Sequence, residues 1–365
     1  MAMTDYYVDP SIAGNSGTGT IGDPYGDLQY ALNSVTRNTT DGDRFNIKAG
    51  TAEVLSGTLS FATYGVPNVG ASVVFQGYTS SQGDGGIGEI DGNGNNISTN
   101  SNVNYVDLEL HNGAAAGNLV TVTGACIVNC EVHDANNGIG MGAYSSAESV
   151  NIYDCGTYGI YMTGDSHARN CYIRSRSTDS NGAMTTCIYN DGRPGNVTNC
   201  IISCDSTTNG IDNFDDGDIV SNCSILSAGG TGFGIRIGTA GIGSGAWNNL
   251  IEGFSGTGGD GIFWQDASPN EAKGIVANNT IYDCASPLTN DNNLAAYKAN
   301  NDTPSGSPFV KSGADTYANR FTYFEPDTDN AGANISGNGY RGAVVAPSGG
   351  GGGLLRVNLG GGISG

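Results

Sequence analysis

The sequence predicts an all-β fold: one chain wound as a parallel β-helix, a solenoid with a cap helix before it and an irregular cap after it. Three observations carry this expectation. The 365 residues hold 60 glycines and only 13% charged side chains, against about 7% and about 25% in ordinary globular chains. Short apolar runs alternate with Gly, Asn, Ser and Thr, the composition of strands and turns rather than long helices. Two short phrases recur in the same order through eight successive stretches of chain, which marks a repeat architecture.

The first phrase is typified by "TNCIIS" (198–203) and "SNCSILS" (221–227). Its central position falls at Leu108, Cys130, Val150, Cys171, Cys200, Cys223, Asn249 and Asn279, with gaps of 20 to 30 residues. The residue before each is Asp107, Asn129, Ser149, Asn170, Asn199, Asn222, Asn248 or Asn278, and an aliphatic follows two places on. A second phrase, as in "GIYM" (159–162) and "GIRI" (234–237), runs out of phase with the first. The units lack a helical apolar period, which excludes leucine-rich and helical repeats and leaves the parallel β-helix. Each coil then adds about 4.8 Å, so eight aligned coils with two earlier ones make a rod of roughly 50 Å. Equivalent residues stack into ladders. Asn129, Asn170, Asn199, Asn222, Asn248 and Asn278 are expected at one bend, in one line, with their amides bonding across coils. Period-2 alternation turns Cys130, Cys171, Cys200 and Cys223 inward and leaves Ile201 and Ser203 outward. The thiols read as small core residues, not metal ligands. Cys126 and Cys130, or Cys200 and Cys204, span about 13 Å along a strand and do not converge on zinc.

Residues 1–44 supply an opening strand, a Gly-rich loop and the cap helix. "DPYGDLQYALNSV" (23–35) sets Leu28, Ala31, Leu32 and Val35 at helical spacing, with Asp23-Pro24 as the start signal. Coils occupy 45–294, beginning with "FNIKAG" (45–50) and "SVVFQGY" (72–78). The repeat lapses near 295, and the aromatic, irregular 295–346 suits a C-terminal cap over an open coil edge. Residues 347–365 are a Gly-rich tail in which Leu354, Leu355, Arg356, Val357 and Leu359 read as a docking segment. Extra length falls in turns such as "STDSNGAM" (177–184) and "DGRPGNV" (191–197), where a binding surface is most easily built.

The opening "YYVDPSIAGNSGTGTIGDPYGDLQYALNSV" (6–35), followed by coils with asparagines at a bend, resembles right-handed parallel β-helix proteins of the pectate-lyase-like superfamily. The likeness extends over about 5–345. It implies a right-handed helix and leaves activity open, because that superfamily includes lyases, hydrolases and viral tailspikes or other virion proteins.

Two groups of residues could carry chemistry. In "LELH" (108–111) and "CEVH" (130–133), Glu109 and His111 stack outward beside Glu131 and His133, and Tyr153 and Arg174 continue the histidine column. Such a patch suits a divalent cation or an acid–base pair. In "GIDNFDDGDIVSN" (210–222), Asp212, Asp215, Asp216 and Asp218 crowd one turn, with Arg236 one coil later. This resembles the paired aspartates of polygalacturonase-type β-helices, but the Gly-His-Gly and Arg-x-Lys elements of that family are missing: Ile237-Gly238 follows Arg236. A pectate-lyase reading would require Ca2+, the one cofactor that resemblance admits, and no motif of that family surrounds Arg174, Arg176 or Arg193.

The net charge of −21 and the lack of a basic stripe argue against nucleic acid as a partner. No apolar run is long enough to span a membrane, and "MAMTDYYVDP" lacks the basic and apolar regions of a secretory signal. Without an export signal the nine cysteines are expected to be reduced. These features favour a structural virion or surface-assembly protein, of phage decoration, fibre or spike type, docking on other subunits or on copies of itself through 347–365. The alternative is a carbohydrate-active lyase or hydrolase, or a non-catalytic glycan-binding protein, in an extracellular setting.

Overall fold

A computed structural model describes residues 3–68, 70–98, 100–192, 195–213, 217–238, 244–265, 275–290, 297–299 and 303. The strands form three parallel sheets that the chain visits in turn, which is a parallel β-helix, right-handed as parallel crossovers are. Two compact units divide the chain: residues 1–166 with 179–182, and residues 167–178 with 183–365. The C-terminal cap expected over 295–346 and the tail residues Leu354, Leu355, Arg356, Val357 and Leu359 lie outside the described residues, apart from a short strand Tyr297–Ala299.

In the first unit the first sheet runs Thr4–Val8, Asp43–Lys48, Val73–Tyr78, Val103–Val106, Cys126–Val128 and Ser145–Glu148, each parallel to the next. The second sheet runs Glu53–Val54, Gly88–Asp91, Leu108–His111, Glu131–Val132 and Asn151–Ile152. The third runs Asn118–Val122, Ala135–Met141 and Cys155–Met162. The second unit repeats this plan. In its second sheet Ile202, Ile225, Ile251 and Ile281 are successive register partners. In its third sheet Ile188, Ile211, Ile235, Ile262 and Leu288 are. In these columns side chains of one type stack without a slip, whereas in the third sheet of the first unit a bulge shifts the register between Ala135, opposite Cys155, and Asn137, opposite Tyr158.

The helix is shorter than its sequence signal. It spans Leu28–Ser34 and begins at Asp27, whose carboxylate accepts the Tyr30 N–H, not at Asp23-Pro24. Asp23 instead pairs with Thr20 in a β-bridge. Leu28, Ala31 and Leu32 are fully buried, while Val35 ends the helix. The Leu28 N–H, an unpaired donor at the helix start, is taken by the Glu53 carboxylate at 2.9 Å.

The bend between the first and second sheets explains the asparagines differently from the sequence expectation. Asp107, Asn129, Ser149, Asn170, Asn199, Asn222, Asn248 and Asn278 all have φ between 53° and 57°. This is the left-handed region, which Asn and Asp enter at lower cost than other residues with a Cβ. The backbone N–H groups of Asp107, Asn129, Asn170, Asn199, Asn222 and Asn248 each donate to the carbonyl just before the next bend, as Asn199 N does to Ser221 O and Asn222 N to Trp247 O. The expected rungs of side-chain amides are not the rule in this row: among the described residues one is made, from Asn129 to Asp107. The amide ladder lies one position further on, inside. Asn249 donates to Asn279 at 3.0 Å and accepts the Cys223 N–H at 2.9 Å, both asparagines being fully buried.

Cys130 in the first unit and Cys171, Cys200 and Cys223 in the second all point inward and are at most 1% exposed. No disulfide forms among the nine cysteines. Burial pushes the Cys130 thiol up to about 12, so it stays protonated. Ile201 and Ser203, expected to face outward, are 1% and 3% exposed. Their register neighbours Ser224, Leu250, Leu226 and Glu252 are buried as well. The continuous apolar run in "CIIS" is the mark of a strand covered on both faces.

Candidate functional site

The second sheet of the first unit keeps an outer face that alternates with its core. Leu108, Leu110, Val132 and Ile152 point inward and are essentially fully buried. The residues between them form two outer columns. Glu89, Glu109, Glu131 and Asn151 are register partners in one. In the other, the rings of His111 and His133 stack 5.1 Å apart at 7°, and those of His133 and Tyr153 at 4.7 Å and 6°. Each ring reaches back one coil to a carboxylate. His111 Nε2 lies 3.0 Å from Glu89 Oε1, His133 Nε2 lies 3.1 Å from Glu109 Oε1, and the Tyr153 hydroxyl donates to Glu131.

His133, expected to be exposed, is 8% exposed because rings cover both of its faces. Burial alone would lower its pKa. Hydrogen bonds to Glu109 and to Asp134, whose Oδ2 is 2.9 Å from Nδ1, outweigh burial and raise it. The His133 hydrogen bond in turn holds Glu109 below its ordinary value.

A second left-handed bend follows each ring: Asn112, Asp134 and Asp154 have φ of 57°, 52° and 49°. The carboxylates of Asp134 and Asp154 hold the turn 179–182. Ser180 Oγ donates to Asp154 at 2.6 Å and to Asp134 at 3.2 Å, and Asn181 N donates to Asp154 at 2.8 Å. Burial disfavours the ionised Asp154, but the hydrogen bonds it accepts keep its pKa below the ordinary value. Between this turn and the histidines lies a groove of about 620 Å³. His111, Asn112, Asp134, Asn136, Ser180 and Asn181 line it, over a floor of glycines and alanines.

Glu109, His111, Glu131, His133 and Tyr153 are thus side by side, as the sequence places them. Arg174 belongs to the second unit, where it is the register partner of Ser203. Glu89, Asp134, Asp154 and Ser180 escaped the sequence reading. Glu89 was nonetheless legible: "GEID" (88–91) has the pattern of "LELH" one coil earlier. Asp134 and Asp154 follow the ring residues as Asn112 does.

The aspartate turn does not form an acid pair among the described residues. Asp212, in strand Asn209–Asn213 of the third sheet, is gripped at both carboxylate oxygens by Arg236 of the next coil, with Nε at 2.6 Å. Burial raises the Asp212 pKa, and Arg236 pulls the other way. Arg236 also packs over Phe233, 4.9 Å from the ring centre. Asp218 is fully buried and accepts the Gly195 N–H at 2.7 Å. A bidentate ion pair and a buried backbone acceptor are structural uses of aspartate. Asp215 and Asp216 lie outside the described residues.

No protein-family model matches the sequence, and no curated protein does either. Among solved structures, pectate lyase Pel9A aligns with a TM-score of 0.48 and 16% identity, over 85% of this chain and 84% of that one. An alginate lyase from Paenibacillus sp. aligns at 0.46 and 14%, over 77% and 95%. The Streptococcus pneumoniae surface protein and adhesin PfbA aligns at 0.40 and 10%, over 82% and 97%. These three are two lyases and an adhesin. At such identities the likeness is one of fold alone.

Proposed function

We propose that this chain is a glycan-binding β-helix protein, which holds a neutral saccharide in the groove beside His111 without cleaving it. The observation that carries this reading is the lining of the groove. Asn112, Asn136, Ser180, Asn181 and Asp134 offer donors and acceptors at the density of a sugar's hydroxyls, over a floor of small residues that admits a flat ring. Asp134 in the wall and the net charge of −21 disfavour uronic acids.

The carboxylates around the groove argue for binding rather than cleavage. Glycoside hydrolysis needs one carboxyl group to donate a proton and another to attack or to activate water. Here Asp154 is held by Ser180 and Asn181, Asp134 by His133 and Ser180, and Glu109 by His133. Such a module belongs where glycans are met, on a virion or an extracellular surface.

The test is a panel of neutral and acidic oligosaccharides read by calorimetry, together with an assay for chain shortening. Saturable binding of a neutral glycan is expected, weakened about tenfold or more by Asn136→Ala, which removes a hydrogen-bonding side chain from the wall. Depolymerisation of any member, or binding restricted to uronic acids, would overturn the reading.

A further inference from the structure

The outer columns of the second sheet carry more negative charge than their partners balance. Glu89, Glu109 and Glu131 are direct register neighbours, and like charges placed opposite each other across a sheet are destabilising. Among the described residues no lysine or arginine pairs with them: Glu89 meets His111, Glu109 meets His133, and Glu131 meets only the neutral Tyr153 hydroxyl. The arrangement calls for a further cation.

We propose that Glu89, Glu109 and His111 bind a divalent first-row transition-metal ion, of the zinc, manganese or cobalt type. One ligand atom from each lies within 4.8 Å of the others. Bonds of about 2.1 Å to such an ion place neighbouring ligands roughly 3.0–3.4 Å apart. His111 Nε2 and Glu89 Oε1, at 3.0 Å, already have that spacing. The flexible Glu109 side chain has only to close the remaining gap.

The surroundings are those of a prepared site. The His111 ring is fixed by its stack on His133. Glu109 is oriented through Oε1 by His133, which Asp134 orients in turn, and its second oxygen is left for an ion. Supports of this kind behind the ligands set metal affinity. One imidazole with two carboxylates suits a transition metal, whereas Ca2+ takes about six to eight oxygens. Two carboxylates cancel the charge of the ion, so the site adds no attraction for acidic sugars. It rests on its own residues and not on the glycan reading.

The experiment uses chelator-treated full-length protein and the metal alone. Co2+ is titrated by visible absorption and Zn2+ by calorimetry. One ion per chain is expected. Glu89→Gln and His111→Gln should each weaken it on the order of 10–100-fold. Glu131→Gln removes an equal charge one coil away and should leave the affinity within about twofold. Melting curves establish that all three variants are folded. The proposal falls if binding does not saturate, or if Glu89→Gln and His111→Gln bind as the wild type does. It also falls if Co2+ gives the intense near-ultraviolet charge-transfer band of thiolate ligands, which would place the ion on cysteines.

Discussion

The second sheet is built twice, once in each unit, and its outer face differs between them. The position after the inward cysteine is Glu131 in the first unit and Ile201 in the second. Two places on, His133 corresponds to Ser203. In the first unit these positions form a column of carboxylates and stacked rings beside a groove. In the second, Ile201, Leu226 and Leu250 are at most 3% exposed, with Glu252 fully buried among them. One winding pattern therefore supports a polar outer face in one unit and a buried, largely apolar one in the other. The choice lies with the residues between the inward aliphatics, which the coil itself leaves unconstrained.

The sharpest way to break this contrast is to exchange the two characters. Leu226→Asp places an unpaired charge in a buried layer and should cost about 4 kcal/mol, read as a fall in the denaturant midpoint. Glu131→Leu, on the polar face, should change stability by less than about 1 kcal/mol. Equal effects would show that the two faces do not differ in burial.

A smaller effect comes from Glu53, which occupies an inward position in the first unit as the register partner of Ile90. Burial raises its pKa from 4.5 to about 7, against the hydrogen bond from Leu28 N. The native state therefore holds a proton that the unfolded chain releases at lower pH. The stability Glu53 contributes is full below pH 4.5 and is lost as pH rises through about 7, by about 3 kcal/mol in all. Glu53→Gln keeps an acceptor for Leu28 N and should flatten that slope in pH-dependent melting. An unchanged slope would place the titration elsewhere.

The smallest effect tests what the two units share. Asn199→Ala in the second unit forces alanine into the left-handed bend and should cost about 1–2 kcal/mol. Asn199→Gly should cost less than half of that. Asn129→Ala in the first unit should cost somewhat more than Asn199→Ala, because Asn129 also bonds Asp107. Chemical denaturation of the three variants ranks them.

The fold was legible because a solenoid writes its geometry into the chain repeatedly: the inward column and the bend asparagines recur often enough to set the register. Five residues of the polar columns followed from that register. Glu89 was harder to see because its coil, Gly88–Asp91, lies before Leu108, where the repeated phrase first becomes recognisable. The groove wall was missed because turn length tells where chain is spare, not which way it folds. Ile201 and Ser203 do lie between the inward residues, as alternation places them, but that outer face is covered, which the apolar pair following Cys200 in "CIIS" already signalled. The bend asparagines were located correctly but explained by their side chains, when their backbone is what the corner requires.

That corner has no slack. Asn199 and Cys200 carry the chain from strand Gly195–Thr198 to strand Ile201–Cys204. One inserted residue there would turn every following side chain in its strand to the opposite face. The other corners can take added length, as the turn between strands Tyr172–Arg174 and Thr186–Asn190 does, while this corner holds two residues. Grafted loops meant to recognise new surfaces belong in those longer corners, where added chain does not disturb the winding.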